Sequence, residues 1–397
     1  MIAMLKPDFF ANNRAKLRAA FPDDKLFLFT ANLATQRTES STYKFRQNNN
    51  FWYLTGISEP NVLLLMDGDK EFLVLPELDE VQLLFGGAIN KERLSQVSGV
   101  DSFLTDAEAR NRISGRNRVV TLVPLPAFNP SENSFSNPAE RRLTDRIKRT
   151  LPKPDIIDAR PVIAKMRSIK QDAEIQAIKA AIKISTVAFK KIEQGIDGFK
   201  NEKDIERLLS AEFALAGAEH AYDPIVASGI NACTLHYNAN SQPLSSGRAV
   251  LIDAGAELNN YAADITRTYF VGKSSIRQQE IYRAVAEIKK FALGQLKAGL
   301  AWRDYELANL DFAAEKLHEL GVIKEKDRKL ARRYYPHATS HSLGLEVHDV
   351  GIDHGQSLQA GMVITVEPGL YIKEEQIGVR LEDDVLITHQ GIVNLAN

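Results

Sequence analysis

Apolar residues in the first part of the chain come in short runs. Those at Lys25 to Phe29, Val62 to Met66, Glu71 to Leu75 and Arg118 to Leu125 predict β-strands, while Pro138 to Arg149 spaces its apolar residues as a helix does. The segment from Pro124 to Pro138 gathers prolines with Asn and Ser and predicts a loop. A second break comes at Leu151-Pro-Lys-Pro-Asp155, beyond which the pattern changes to long amphipathic helices. This shift places a domain boundary near residue 160, giving domains 1–160 and 161–397. The clearest helix runs from about Ser168 to Glu193. It carries Ile175, Ile178, Ile182, Phe189 and Ile192 at helical spacing, and Ser168 with Gln171 predicts a capping box at its start.

From there one architecture runs twice. A helix near Asn201 to Gly217 precedes a β-rich stretch from Ile225 to Val271; helices near Ile276 to Lys297 and Arg303 to Gly321 precede another from His337 to Thr388. The fold class is therefore mixed α/β (α+β), with a sheet-centred second domain of pseudo-two-fold symmetry. The repeat is one of pattern, with no matching repeat of sequence.

Composition narrows the partners more than the activity. The chain has 397 residues, 44% hydrophobic and 25% charged, with a formal net charge of −1 and acids and bases interleaved. That balance argues against a general basic field for nucleic acid. The single cysteine, Cys233, forms no intramolecular disulfide, which fits a reducing, cytoplasmic setting. Met1-Ile-Ala-Met-Leu-Lys-Pro has too short an apolar run for a signal peptide, and no stretch approaches the ~18 apolar residues of a membrane span.

The candidate chemistry lies in the two β-rich stretches. Val250-Leu-Ile-Asp-Ala-Gly255 and Tyr261-Ala-Ala-Asp-Ile-Thr-Arg-Thr-Tyr269 flank Glu257-Leu-Asn-Asn260, which is good turn chemistry. A turn centred between Leu258 and Asn259 sets Asp253 opposite Asp264 on one face. Val363-Ile-Thr-Val-Glu-Pro368 and Gly378-Val-Arg-Leu-Glu-Asp383 flank a second turn, and a centre between Glu374 and Glu375 sets Glu367 opposite Glu382. Opposed like charges on apolar strands destabilise, so something must compensate them. Two divalent cations balance four carboxylates, and oxygen-rich ligation with one imidazole suits Mn²⁺, Co²⁺ or Fe²⁺, with Zn²⁺ also possible. The segment from Tyr335 to Asp349 offers His337, His341 and His348 for that imidazole. The competing reading is structural, with salt bridges to Arg267 and Arg380. If metal is held there, Arg380 would orient Asp264 or neighbouring carboxylates.

At these residues the sequence resembles the metallopeptidase family that includes methionine aminopeptidase, prolidase and Xaa-Pro aminopeptidase. The motifs fall in order: Leu-Ile-Asp253-Ala-Gly, Ala-Asp264-Ile-Thr-Arg-Thr, Ser-His341-Ser-Leu-Gly, Val-Glu367-Pro-Gly and Arg-Leu-Glu382-Asp-Asp. The resemblance implies a pita-bread catalytic domain. In it Asp253 would chelate one ion, Asp264 and Glu382 would bridge both, and His341 and Glu367 would complete the coordination of the other ion. Phe45-Arg-Gln-Asn-Asn-Asn-Phe-Trp-Tyr-Leu-Thr-Gly56 and the following Glu59-Pro60 resemble the N-terminal domain of the Xaa-Pro aminopeptidase branch. Asn231-Ala-Cys-Thr-Leu-His236 and Leu345-Glu-Val-His-Asp349 resemble its substrate-side motifs.

The implied reaction is hydrolysis of an N-terminal Xaa-Pro bond, a hydroxide shared by two ions attacking the carbonyl carbon. Glu367 would accept the proton, His236 and His348 would polarise the carbonyl, and His337 would line the proline pocket, where Arg380 also stands as a candidate substrate residue. The partners implied are peptides with proline second, and a second copy of the chain in a homodimer or homotetramer. Within the family the alternative is a prolidase. Creatinase-like relatives lack these ligands, and a non-catalytic binding module would usually have lost some. A thiol mechanism at Cys233 and His236 lacks an orienting partner, and no His-Glu-x-x-His motif occurs. Phe51, Trp52 and Tyr53 are expected in the core or at a subunit contact.

Overall fold

A computed structural model describes residues 5–23, 26–130, 133–351 and 355–396. The expected strand start at Lys25, the N-terminal Met1 to Met4 and the segment 352–354 lie outside the described residues. The chain divides into two compact units between Ala164 and Lys165. No helix among the described residues is long and apolar enough to cross a membrane.

The first unit is built on a six-stranded mixed sheet. Leu26–Thr30 and Leu63–Asp67 pair antiparallel at its centre, followed outward by Lys70–Val74 and Phe103–Leu104 on one side and by Arg118–Thr121 and Asp155–Asp158 on the other. The inner strands are buried along almost their whole length, as fits strands covered on both faces. Phe51, Trp52 and Tyr53 lie on a short helix, Asn49–Thr55, and are core residues at 0%, 6% and 1% exposure. Asn48 caps that helix and Gly56 ends it in the left-handed region, so the motif is a helix with both ends written into it. The expected loop at 124–138 carries a small ribbon, Phe128–Asn129 against Ser134–Phe135.

In the second unit the helix Asp172–Gly195 starts later than expected. Its capping box is Gln171 with Glu174, and Ser168 instead ends the preceding helix Arg160–Ser168. The cause is tertiary: the Lys170 amide donates to the Gly361 carbonyl, which breaks the helical path between them. Helices Glu202–Leu215, Ile276–Gln295 and Trp302–Glu319 follow. The last two bury Ile281, Val285, Ile288, Leu310 and Leu317 against Leu370, Ile372 and Val379 of the second hairpin. The first hairpin meets the helix Asp172–Gly195, where the Ser185 hydroxyl accepts from the Ala256 amide at 2.9 Å.

The first hairpin corrects the expected register. Leu258 pairs with Tyr261 and Asp253 with Thr266, so the turn centres between Asn259 and Asn260, one residue later than expected. Both asparagines take positive φ, +50° and +65°, the pairing a tight two-residue hairpin turn needs. Asp264 is therefore diagonal to Asp253, two residues along the same face. The second hairpin has the expected register: Gly369 pairs with Arg380 and Val366 with Asp383, with Glu367 and Glu382 at the step between the two ladders.

Candidate metal centre

The two hairpins meet edge to edge where their carboxylates lie. The Glu382 amide donates to the Thr266 carbonyl at 3.0 Å, and the Thr266 hydroxyl donates to Glu382 Oε2 at 2.6 Å. The Thr268 hydroxyl donates to the Arg380 carbonyl and accepts from its amide. A Cβ at Gly255 would lie 1.7 Å from the Ala263 carbonyl oxygen, so the arms of the first hairpin can cross between Asp253 and Asp264 only because residue 255 has no side chain.

Five carboxylates collect at this junction: Asp253, Asp264, Glu367, Glu382 and Asp384. The Tyr222 hydroxyl lies 2.6 Å from Asp253 Oδ1 and 2.5 Å from Asp264 Oδ1. The Asp264 amide donates to Asp384 Oδ2 at 3.0 Å. Ligand atoms of Asp264, His341 and Glu382 all lie within 4.8 Å of one another. His341 Nε2 stands 3.4 Å from both Asp264 Oδ2 and Glu367 Oε1, while its Nδ1 faces the Ser342 carbonyl at 3.1 Å. An Nδ1 proton given to that carbonyl leaves Nε2 as the nitrogen facing the acids.

The electrostatics of this cluster are unfavourable without a cation. Burial raises the Glu382 carboxyl far above its ordinary range, and Asp264, Glu367 and Asp253 push it further. Burial and the Asp264 charge do the same to Asp384, and burial brings Glu367 to about 7 against the pull of His341 and Arg380. Burial also outweighs Arg380 at Asp253. Burial alone would keep His341 neutral, yet the hydrogen bond to Asp264 and the charge of Glu367 hold it at about 9. Glu382 Oε1 and Asp384 Oδ1 are buried without a hydrogen-bond partner.

Of the remaining expected residues, Arg380, His337 and His348 touch this cluster. The buried Arg380 guanidinium donates to Asp253 Oδ2, to the Thr266 hydroxyl at 3.0 Å and to the Tyr371 hydroxyl at 2.8 Å. It therefore meets Asp253 rather than Asp264. Arg267, the other cation of the structural reading, binds Asp383 at 2.7 Å and the Glu382 carbonyl, not the clustered carboxylates. His337 Nε2 lies 2.8 Å from the Tyr371 hydroxyl, and burial together with Arg380 drives its pKa to about 3. His348 is exposed, with its ring perpendicular to that of His341 at 4.4 Å. His236 is exposed on the loop after Gly229–Cys233. Burial raises the Cys233 thiol to about 11, which leaves no thiolate for nucleophilic work near neutral pH.

A family model described as metallopeptidase family M24 matches residues 176–389, more than half of the chain, and one described as the aminopeptidase P N-terminal domain matches residues 10–118. The chain belongs to metallopeptidase family M24. A Xaa-Pro aminopeptidase of Haemophilus influenzae is 33% identical over 98% of this chain and 94% of its own length. Its counterpart in Escherichia coli is 31% identical over 100% and 95%. Among solved structures, the low-pH form of E. coli aminopeptidase P superposes with a TM-score of 0.87 at 30% identity, covering 99% of this chain and 96% of the other. The aminopeptidase PepP of Pseudomonas aeruginosa gives 0.88 at 29%, covering 100% and 96%. The match spans both units, so the fold is that of a pita-bread catalytic domain with an aminopeptidase P type N-terminal domain.

M24 membership implies divalent metal, and the residues present fit it. A buried carboxylate oxygen with no donor, in a cluster where burial and neighbouring charge raise the pKa of Glu382 and Asp384, is what a cation site looks like before the cation is added. Tyr222, Thr266, Tyr371 and Asp384 escaped the sequence reading. Asp384 alone had a visible signal, as the second acid after Glu382.

Proposed function

We propose that this M24 enzyme is a metal-dependent aminopeptidase that hydrolyses the N-terminal Xaa-Pro bond of peptides. The observation that carries this reading is the junction of the two hairpins, where acids outnumber internal cations and Glu382 Oε1 has no donor. Asp253, Asp264, His341, Glu367 and Glu382 would hold two divalent ions there, manganese for its fit to oxygen ligands with one imidazole. Such ions, when bound, supply Lewis acidity and bring the pKa of a water toward neutrality.

The chain's own groups account for the rest. Glu367 would serve both as a ligand and as the acceptor of the attacking water's proton. His348, beside His341, and His236 donate toward the carbonyl oxygen of the Xaa-Pro bond, a role in which one placed donor supplies about 3 kcal/mol. His337 stays neutral against Tyr371 and gives proline an uncharged ring wall. Arg380 orients Asp253 and Tyr371, and through them the wall on which substrate rests. Selection for proline follows from its tertiary amide and fixed φ, which a pocket shaped to the ring distinguishes from ordinary residues. One structural neighbour holds the inhibitor Pro-Leu, which supports the same substrate class here.

Cytoplasmic location and self-association as a homodimer or homotetramer belong to this reading. The lone half-buried thiol supports the first. The outward Val81, Leu84 and Phe85 of the helix Glu80–Gly86, exposed by 62%, 81% and 85%, support the second.

The test is hydrolysis of a tripeptide and a dipeptide, each with proline second, with and without added Mn²⁺. The expected result is manganese-dependent release of the first residue from the tripeptide. Cleavage of the dipeptide alone would make the enzyme a prolidase, and no cleavage by metal-loaded protein would leave a binding module.

A further inference from the structure

The loop that carries His236 is held at both ends by one buried carboxylate. Glu202, the first residue of the helix Glu202–Leu215, is fully buried. Its Oε1 accepts from the Ser228 amide and hydroxyl, both at 2.8 Å, and from the Asn231 side-chain amide at 3.5 Å. Its Oε2 accepts from the Tyr237 hydroxyl and the Gln242 amide, both at 2.9 Å. One oxygen therefore holds the segment entering the loop and the other the segment leaving it, with His236 between. One turn on, Glu206 accepts from Asn240 Nδ2 at 3.0 Å, and Asn240 Oδ1 accepts from the Val226 amide at 2.9 Å. No ion pair to Glu202 occurs among the described residues, so donors of the loop itself compensate its burial.

The other side of this loop rests on the candidate site. Leu235 and Tyr237 pack against Ala232, Leu251 and Tyr371, the residue whose hydroxyl meets both Arg380 and His337. A Cβ at Gly378 would lie 2.2 Å from the Ala232 carbonyl oxygen, so loop and strand are in direct backbone contact two residues from Arg380.

We propose that Glu202 is a positioning residue: its carboxylate sets where His236 stands, and so governs turnover rather than metal binding. This rests on the substrate role of His236 proposed above. The two-ended clasp needs two acceptor oxygens. Glutamine has one acceptor and one donor, so whichever way its amide turns, one end of the loop meets donor with donor.

The experiment compares full-length, manganese-loaded wild type, Glu202→Gln, His236→Ala and the double variant on a tripeptide with proline second. For Glu202→Gln, kcat should fall roughly ten- to a hundredfold while KM stays within about threefold. Its metal stoichiometry should equal that of wild type, and the double variant should be no slower than His236→Ala. Losses that multiply in the double variant, or a drop in bound metal, would overturn the proposal. Tyr237→Phe removes one bond at Oε2 and serves if Glu202→Gln fails to fold: it too should lower kcat and be silent beside His236→Ala, and an unchanged kcat would refute the clasp. Amide exchange in residues 229–241 distinguishes loss of the clasp from loss of the role of His236. Unchanged exchange in these variants shows the clasp to be wrong while the peptidase reading stands. Faster exchange together with a fully active His236→Ala removes the role of His236, and the proposal with it.

Discussion

A single hydroxyl shows how tightly the site is drawn. Tyr222 has one proton to give and faces two carboxylate oxygens, at 2.6 and 2.5 Å, so the second contact needs a proton on the carboxyl or a cation nearby. Burial and the charges of Asp253 and Asp264 push its own pKa well above the ordinary value, so it remains a donor. Tyr222→Phe keeps the ring and removes the tether. Metal affinity should fall roughly ten- to a hundredfold with the fold intact, as measured by metal titration calorimetry; an unchanged affinity would deny Tyr222 any part in setting the ligands. Nothing in the sequence marks this residue. It lies 31 positions before Asp253, in a turn with neither strand nor helix periodicity, whereas the aspartates sit in strands flanking readable turn chemistry.

Elements were legible in proportion to how local their causes are. The second hairpin has the register its flanking residues imply, and the first is displaced by the turn because the two adjacent asparagines both adopt positive φ. That displacement puts Thr266, not Asp264, across from Asp253, and Thr266 then links Arg380 to Glu382. The segment bearing His348 shows the opposite case, where charge rather than a turn sets position. The Asp349 side chain, 1% exposed, accepts from Lys170 Nζ at 3.1 Å and from Arg167. Burial would raise its pKa, but those two cations outweigh it and hold it low. Asp349→Ala should cost about 3–5 kcal/mol in urea unfolding, because it leaves Lys170 buried without its ion-pair partner and Arg167 with only the half-exposed Glu346, 3.4 Å away. Adding Lys170→Met should recover part of the loss; a double variant less stable than the single would contradict this account.

Across the whole molecule, metal and stability are coupled through protons. Glu367 at about 7 and His341 at about 9 both lie above their ordinary values, so the folded chain holds these protons more tightly than the unfolded one. Their contribution is present at low pH and is lost as pH rises, through about 7 for Glu367 and about 9 for His341. In a chelator, Tm should therefore fall between about pH 6 and pH 9, and saturating Mn²⁺ should reverse most of the fall because ligand binding favours the native state. A metal-free Tm that rises across that interval would contradict the electrostatic account of the site. Sequence alone determined the two acid-bearing hairpins and the order of their motifs, because alternation and turn preferences act over a few residues. Tertiary structure alone decided which side chains complete the site. Thr266 and Glu382 meet across 116 positions, and Glu202 reaches Gln242 across 40. Contacts of that span depend on how helices and strands pack, and no local period in the chain encodes them.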